Sequence, residues 1–304
     1  MKRLFIVLVV VGFACSFVCG TSAHAMKGLK KTVAVFDFKN DSGVTSRVKL
    51  GQDFSMQLSD ALIQSGQFIV LTRKDLDVVM AEQDLASSGR FAWTKKTAKT
   101  GKIIPAQILI KGQITEFEEN SSGGGQGLTI KGVTIGGSKS SAHIAVIVQL
   151  VDSTTGQIID SKRVEGKAKS GGFEIGYSGE FDISSSNFKK TPLGKAVQMA
   201  IDRSVEYIAG KMKNIPWEGK VILVKEDGTV FVNSGENTGI ISGTKLSILK
   251  EGEALIDPDT GLDLGSDTTE IARIEITEVQ EKFSKAKILG TPSGTIEKGD
   301  IVQE

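Results

Sequence analysis

Asp257-Pro258-Asp259-Thr260-Gly261-Leu262-Asp263 sets acids at alternate positions, the spacing with which a loop can wrap calcium. Its glycine falls fifth instead of sixth, and the twelfth position is Thr268 where a bidentate glutamate is needed, so the segment reads as a polar turn. Gly123-Gly124-Gly125-Gln126-Gly127 is glycine-rich enough to cradle a phosphate, but no Lys-Ser or Lys-Thr pair follows and no helix opens there. It too reads as a turn. His143 lies in an alternating strand with no acid or nucleophile pattern beside it. Asp37, at the end of an apolar run, suits a hydrogen-bonded strand-end position better than a general base, and Trp93, Lys95 and Lys96 read as solvated surface with one ring tucked in. No catalytic residue, cofactor or metal site is expected, and the chain is not read as an enzyme.

The first 25 residues narrow the chemistry further. Lys2 and Arg3 precede an apolar stretch from Leu4 to Val18, and Ala23-His24-Ala25 offers small residues to a signal peptidase, so cleavage is expected before Met26. Neither Cys15, with Gly12 at the aliphatic position, nor Cys19, after Val18, completes a lipidation motif. Both cysteines and His24 leave with the leader, which excludes disulfides, thiol nucleophiles and Cys/His zinc sites. The full chain of 304 residues has 37 bases and 36 acids; losing Lys2 and Arg3 turns its net charge of +1 into −1. A nucleic-acid partner, which would need a net basic footprint, is not expected.

The remaining length suits about two domains, and 35 glycines against 5 prolines suit β-structure with many turns. Thr32–Phe38 reads as a buried strand, and Phe54, Leu58, Ala61 and Leu62 recur at helical spacing up to Gly66. Phe68–Leu71 is a second strand; Thr72 with Asp75 resembles a capping box opening a helix through Gln83; Ala106–Ile114 is a third strand. This order indicates an α/β domain over residues 26–215. Ile114 to Ser186 carries strand and turn signals without helical period, and Thr191-Pro192 then opens the longest helix, through Leu193, Ala196, Val197, Ala200, Ile201, Val205 and Ile208. Residues 217–304 read as a small all-β, barrel-like module of short strands.

Alternation is sharpest at Phe173–Ile183. Phe173, Ile175, Tyr177, Gly179 and Phe181 form an uncharged face opposite Glu174, Glu180 and Asp182, at the length a tilted transmembrane strand requires. A tight turn at Gly171-Gly172 would fold the preceding strand back so that Lys169 meets Glu174 and Arg163 meets Glu180, with Glu165 and Lys167 on the same side. Val164, Gly166 and Ala168 then join the uncharged face, which could meet lipid while the charged face meets water. Lys162 opposite Phe181 breaks the pattern, which would put that pair at or below the membrane edge; a tip nearer Ser178-Gly179 is the other placement. A first hairpin is expected within residues 121–144 and a second within 162–184. An amphipathic sheet packed on its own domain explains both equally well. Four strands cannot close a spanning barrel, and unpaired backbone in hydrocarbon costs several kcal/mol per group, so insertion would require several copies in one barrel.

From Thr32 to Met212 the chain resembles the CsgG family, the outer-membrane secretion channel of the curli system. The resemblance runs through Val33-Ala34-Val35-Phe36-Asp37-Phe38, Thr72–Asp84, Ala106–Gly112, the stretch from Ile144 to Gly156, and Thr191–Ile208. Residues Gly219–Val302 are similar to the C-terminal module of the flagellar assembly protein FlgT, through GKVILV, the turn Asp257–Gly261 and the closing Gly299–Val302. The resemblance implies a periplasmic α/β domain with two membrane-type β-hairpins, joined in a homo-oligomeric ring at the outer membrane, that passes unfolded polypeptide without nucleotide hydrolysis. In that family the loop after the first strand carries an aromatic and amide constriction. Here Lys39–Asp53 has no Tyr or Phe, leaving Asn40 and Asp41 as constriction candidates. The other reading is a non-inserting periplasmic protein that docks envelope or flagellar assembly proteins, which the added module favours.

Overall fold

A computed structural model describes residues 28–44, 49–88, 103–122, 128–130, 133–135, 137–173, 188–259, 261 and 263–304. In chain order the elements are β1 (Lys31–Val35), β2 (Lys39–Asn40), α1 (Leu50–Ser65), β3 (Phe68–Leu71), α2 (Leu76–Ser87), β4 (Ile108–Ser122), β5 (Leu128–Ile130), β6 (Val133–Ile135), β7 (Gly137–Asp152), β8 (Ile158–Phe173), α3 (Pro192–Met212), β9 (Glu218–Val224), β10 (Val230–Val232), β11 (Lys245–Ile256), β12 (Asp263–Val279), β13 (Ser284–Leu289) and β14 (Ile301–Gln303).

An apolar run buried on both faces makes β1 an interior strand, between β3 and β4, of a sheet ordered β3-β1-β4-β7-β8: Val33 and Ala34 are wholly buried. It pairs in parallel with β3 and β4, so α1 and α2 serve as crossovers, whereas β4-β7 and β7-β8 are antiparallel. Helix α1 buries Phe54, Leu58 and Leu62 along one stripe and ends on left-handed Gly66. Thr191 Oγ1 accepts from Gly194 N (3.0 Å) to cap α3, with Pro192 in the first turn. Helix α3 lies over β7 and β8 and sets Leu193, Ala196, Val197, Ala200, Ile201 and Ile208 in the core.

The ladder corrects the turn expected at Gly171-Gly172. Strand β8 runs through both glycines to Phe173, and its partner is β7, with Gly171 opposite Lys139 and Gly172 opposite Ser138. On the edge shared with β7, Lys169 pairs with Ser141 and Arg163 with Ile147; Glu174 and Glu180 lie outside the described residues. In the first hairpin region β4 and β7 pair as far as Ser122 with Lys139, and β5 pairs with β6 between them.

The last six strands close on themselves in the order β10-β13-β12-β11-β14-β9. Val221, Val230, Val232, Ile248, Ile274 and Val302 fill this barrel, joined by Trp217 from the connector after α3. Leu29 reaches the same core from the opposite end of the sequence, and Lys30 N donates to Thr238 O at 2.8 Å. Two residues past Leu29 the chain is already in β1, and Lys31 Nζ donates to the Met212 carbonyl at the end of α3. The barrel is thus strapped to the α/β sheet by residues from both ends of the chain.

Candidate functional site

Strands β4, β7 and β8 are long, and beyond Ile114 they form a ribbon that leaves the rest of the sheet. One face of its root is built for α3. Gly166 lets the helix approach until the Ala196 carbonyl oxygen stands 1.8 Å from where a Cβ would be. Val164 is buried against the same helix and Ala168 is packed on its edge. These three residues, expected to face lipid, face α3 instead, because the ladder with β7 turns that side toward the core. Lys162 shares this side, and its Nζ lies 5.5 Å from the centre of the Tyr207 ring, a cation–π contact that explains a cation on a helix-facing position.

The opposite face is ionic. Arg163 reaches across β7 to Glu116 of β4, donates to Thr115 Oγ1 (3.1 Å) and contacts Glu165 (3.2 Å). Lys167 pairs with Glu165 at 2.7 Å. His143, on the strand between them, has Nδ1 3.2 Å from Glu116 and Nε2 3.6 Å from Glu165. Hydrogen bonds from Lys167 and Arg163 hold the Glu165 carboxyl down at about 2. Expected as a chain of lumen-facing charges, Arg163, Glu165 and Lys167 do share one face; sequence reasoning missed Glu116 and His143 as their partners, since both lie on other strands. Lys169 is exposed beyond them. Glu174, Ile175, Tyr177, Gly179, Glu180 and Phe181 lie outside the described residues, as do residues 1–25, Gly123–Gly127, Trp93, Lys95 and Lys96.

Asn40 ends β2 and Asp41 opens the turn that follows it. Asn40 Nδ2 donates to Val44 O (3.0 Å) while its Oδ1 accepts from Ser42 Oγ (2.7 Å), and Asp41 pairs with Lys39 at 2.8 Å. Both side chains are engaged in shaping their own loop. Asp37 accepts from Ser55 Oγ (3.1 Å) and lies 3.7 Å from Lys74, at a cavity of about 330 Å³ where β1 and β3 end. Among the described residues no group of His, Cys, Asp and Glu could hold a metal, and no helix is long and apolar enough to cross a membrane.

The model of the family "Curli production assembly/transport component CsgG" matches residues 20–235. The chain belongs to the CsgG family. The match supports a role of the secretion or assembly type; it covers the sheet, the ribbon and α3, and ends shortly after β10. No curated protein matches the chain. Solved structures similar to it include the hypothetical protein CT253 from Chlamydia trachomatis (17% identity, 60% of this chain, 96% of that one, TM-score 0.38). Others are the PelC dodecamer from Paraburkholderia phytofirmans (12%, 58% and 87%, TM-score 0.29) and the LpoB C-terminal domain from Escherichia coli (15%, 45% and 82%, TM-score 0.25).

Proposed function

We propose that this CsgG-family protein is a protomer of an oligomeric outer-membrane channel that exports unfolded polypeptide, its two ribbons contributing to a shared barrel. What supports the reading is the length of chain spent beyond the helix-covered root. Glu119 pairs with Ala142, and Ala142 with Ala168, so the root ends at one height on three strands. Residues 120–141 supply about 11 residues per leg beyond that height, and 169–187 about 9 to 10, against the 9–11 of a tilted transmembrane strand. By length alone the second excursion is halved at Ser178. Strands β4 and β8 are both antiparallel to β7, hence parallel to each other. Copies standing the same way up would therefore meet in parallel across a seam, unless a returning fourth strand restores the antiparallel, even-numbered pattern of outer-membrane barrels. Residues 174–187 are available for that strand. Asn40 and Asp41 stand in this reading at the loop that would line the passage.

Conductance of the purified protein in planar bilayers tests the proposal: discrete steps are expected, and a protein that never exceeds background leakage would sink it.

A second reading has its own observation. Strands β11 and β12 extend past the barrel, exposing Leu255, Ile256 and Leu264 near their turn. Such an arm suits docking of another envelope protein, as expected of a module similar to that of the flagellar protein FlgT.

A further inference from the structure

Helix α3 runs antiparallel to β8. Ala196 and Ala200 abut Gly166, Arg203 donates to the Glu165 carbonyl, and Lys211 pairs with Asp160 at 2.7 Å. A helix advances about 1.5 Å per residue and a strand about 3.3 Å, so this alignment brings Pro192, where α3 begins, level with Ala168 and Lys169. The 3-10 turn Phe188–Lys190 immediately precedes it, with Phe188 buried and Lys189 and Lys190 exposed. Across the ladder, the same height on β4 is held by Glu118, opposite His143, and Glu119, opposite Ala142. Glu118 is exposed on the ribbon's free edge, because β1 and β2 pair with β4 no farther than Ile114. Among the described residues Glu118, Lys189 and Lys190 make no ion pair.

We propose that these charges form the seam between neighbouring copies of this chain: Lys189 and Lys190 of one copy pair with Glu118 and Glu119 of the next. The inference rests on the shared-barrel reading and adds to it a device that selects the neighbour. In a cyclic assembly the β8 side of each copy meets the β4 side of the following one, and here the two sides carry opposite charge at one height. An inverted copy would bring lysine to lysine and glutamate to glutamate, so the pairs favour assembly with every copy the same way up. Charge complementarity of this kind sets specificity and encounter more than total affinity.

The experiment is charge reversal with rescue, on the full chain in detergent, reading assembly mass by light scattering across protomer concentration. K189E/K190E and E118K/E119K are each expected to raise the concentration at half-assembly about five-fold at low salt, with a smaller effect at high salt. The four-fold variant that exchanges both pairs is expected to return to the original value, which loss of folding in either double variant could not produce. Rings unchanged by either reversal, or no recovery in the exchange, overturn the seam while leaving the shared barrel standing. A reversal that weakens binding to phosphatidylglycerol vesicles without changing ring mass assigns the lysines to lipid and also overturns it. An unsubstituted protein that stays monomeric at every concentration overturns seam and barrel together.

Discussion

The carbonyl oxygen of Ala196 occupies the space that a side chain on Gly166 would need. Helix α3 therefore rests on the bare backbone of β8 at this point, and the ribbon's root is held to the core by a contact that no other residue type permits.

Gly166→Ala forces either α3 or β8 to shift, because the new Cβ would stand 1.8 Å from a backbone atom. A loss of about 1–3 kcal/mol or more is expected in chemical denaturation. Gly210→Ala, on the same helix with nothing within 4 Å, is the matched control. It should gain up to about 1 kcal/mol from helix propensity. Equal effects at the two sites would refute the close-packing account.

Glu165 makes the ionic face pH-dependent. Its carboxyl is held at about 2 by Lys167 and Arg163, below the ordinary 4.5. A depressed carboxylate stabilises the folded state above its unfolded value and loses that contribution as pH falls through the folded one. Protection of amides at the ribbon root, taken relative to their intrinsic exchange rates at each pH, should therefore fall between about pH 4.5 and 2 in the native chain. In Glu165→Gln the loss of protection over this window should be smaller, and identical protection profiles would show that the cluster contributes nothing there.

Leu29 fills part of the barrel core, so Leu29→Ala should cost about 2–5 kcal/mol through transfer and cavity terms. The loss should appear in the barrel: tryptophan fluorescence from Trp217, buried in the same core, is the probe. Unaltered Trp217 unfolding in this variant would mean that the strap carries no energy.

Ile175→Glu and Tyr177→Lys place charge on the segment proposed to lie in the bilayer. Charge near the mid-plane costs about 2–4 kcal/mol per site. Both variants should leave the outer-membrane fraction of urea-washed extracts; retention equal to the unsubstituted protein contradicts a lipid-facing role.

Local signals that stay local were readable in the sequence. Thr191-Pro192 and the apolar stripe behind it placed α3, and Gly66 placed the end of α1. At α2 the Thr72 hydroxyl does accept from Asp75 N (3.4 Å), but the helix starts at Leu76, so Thr72 shapes the turn before the helix instead of capping it. The misreading at Gly171-Gly172 has a plain cause. A glycine pair is good turn chemistry, yet it is also compatible with an extended ladder, and only the partner strand decides. That partner, β7, is set by long-range pairing that period-two alternation does not encode. Lys162, the cation that interrupts the uncharged face and is expected at or below the membrane edge, stands over the Tyr207 ring. The packing role of Gly166 was invisible because its counterpart, Ala196, sits far along the chain on another element. The site's charged residues on β8 were visible as a face, but Glu116 and His143 could be joined to them only by register.

The placement of Leu29 bears on how the molecule is made. The module that comes last in the sequence stays incomplete until a residue near the beginning is delivered to it, so closure must bridge almost the entire polypeptide. Contacts of such large separation form slowly. A chain emerging end-first into a new compartment would hold its leading segment unsatisfied until the final strands arrive, an interval in which chaperones could hold it.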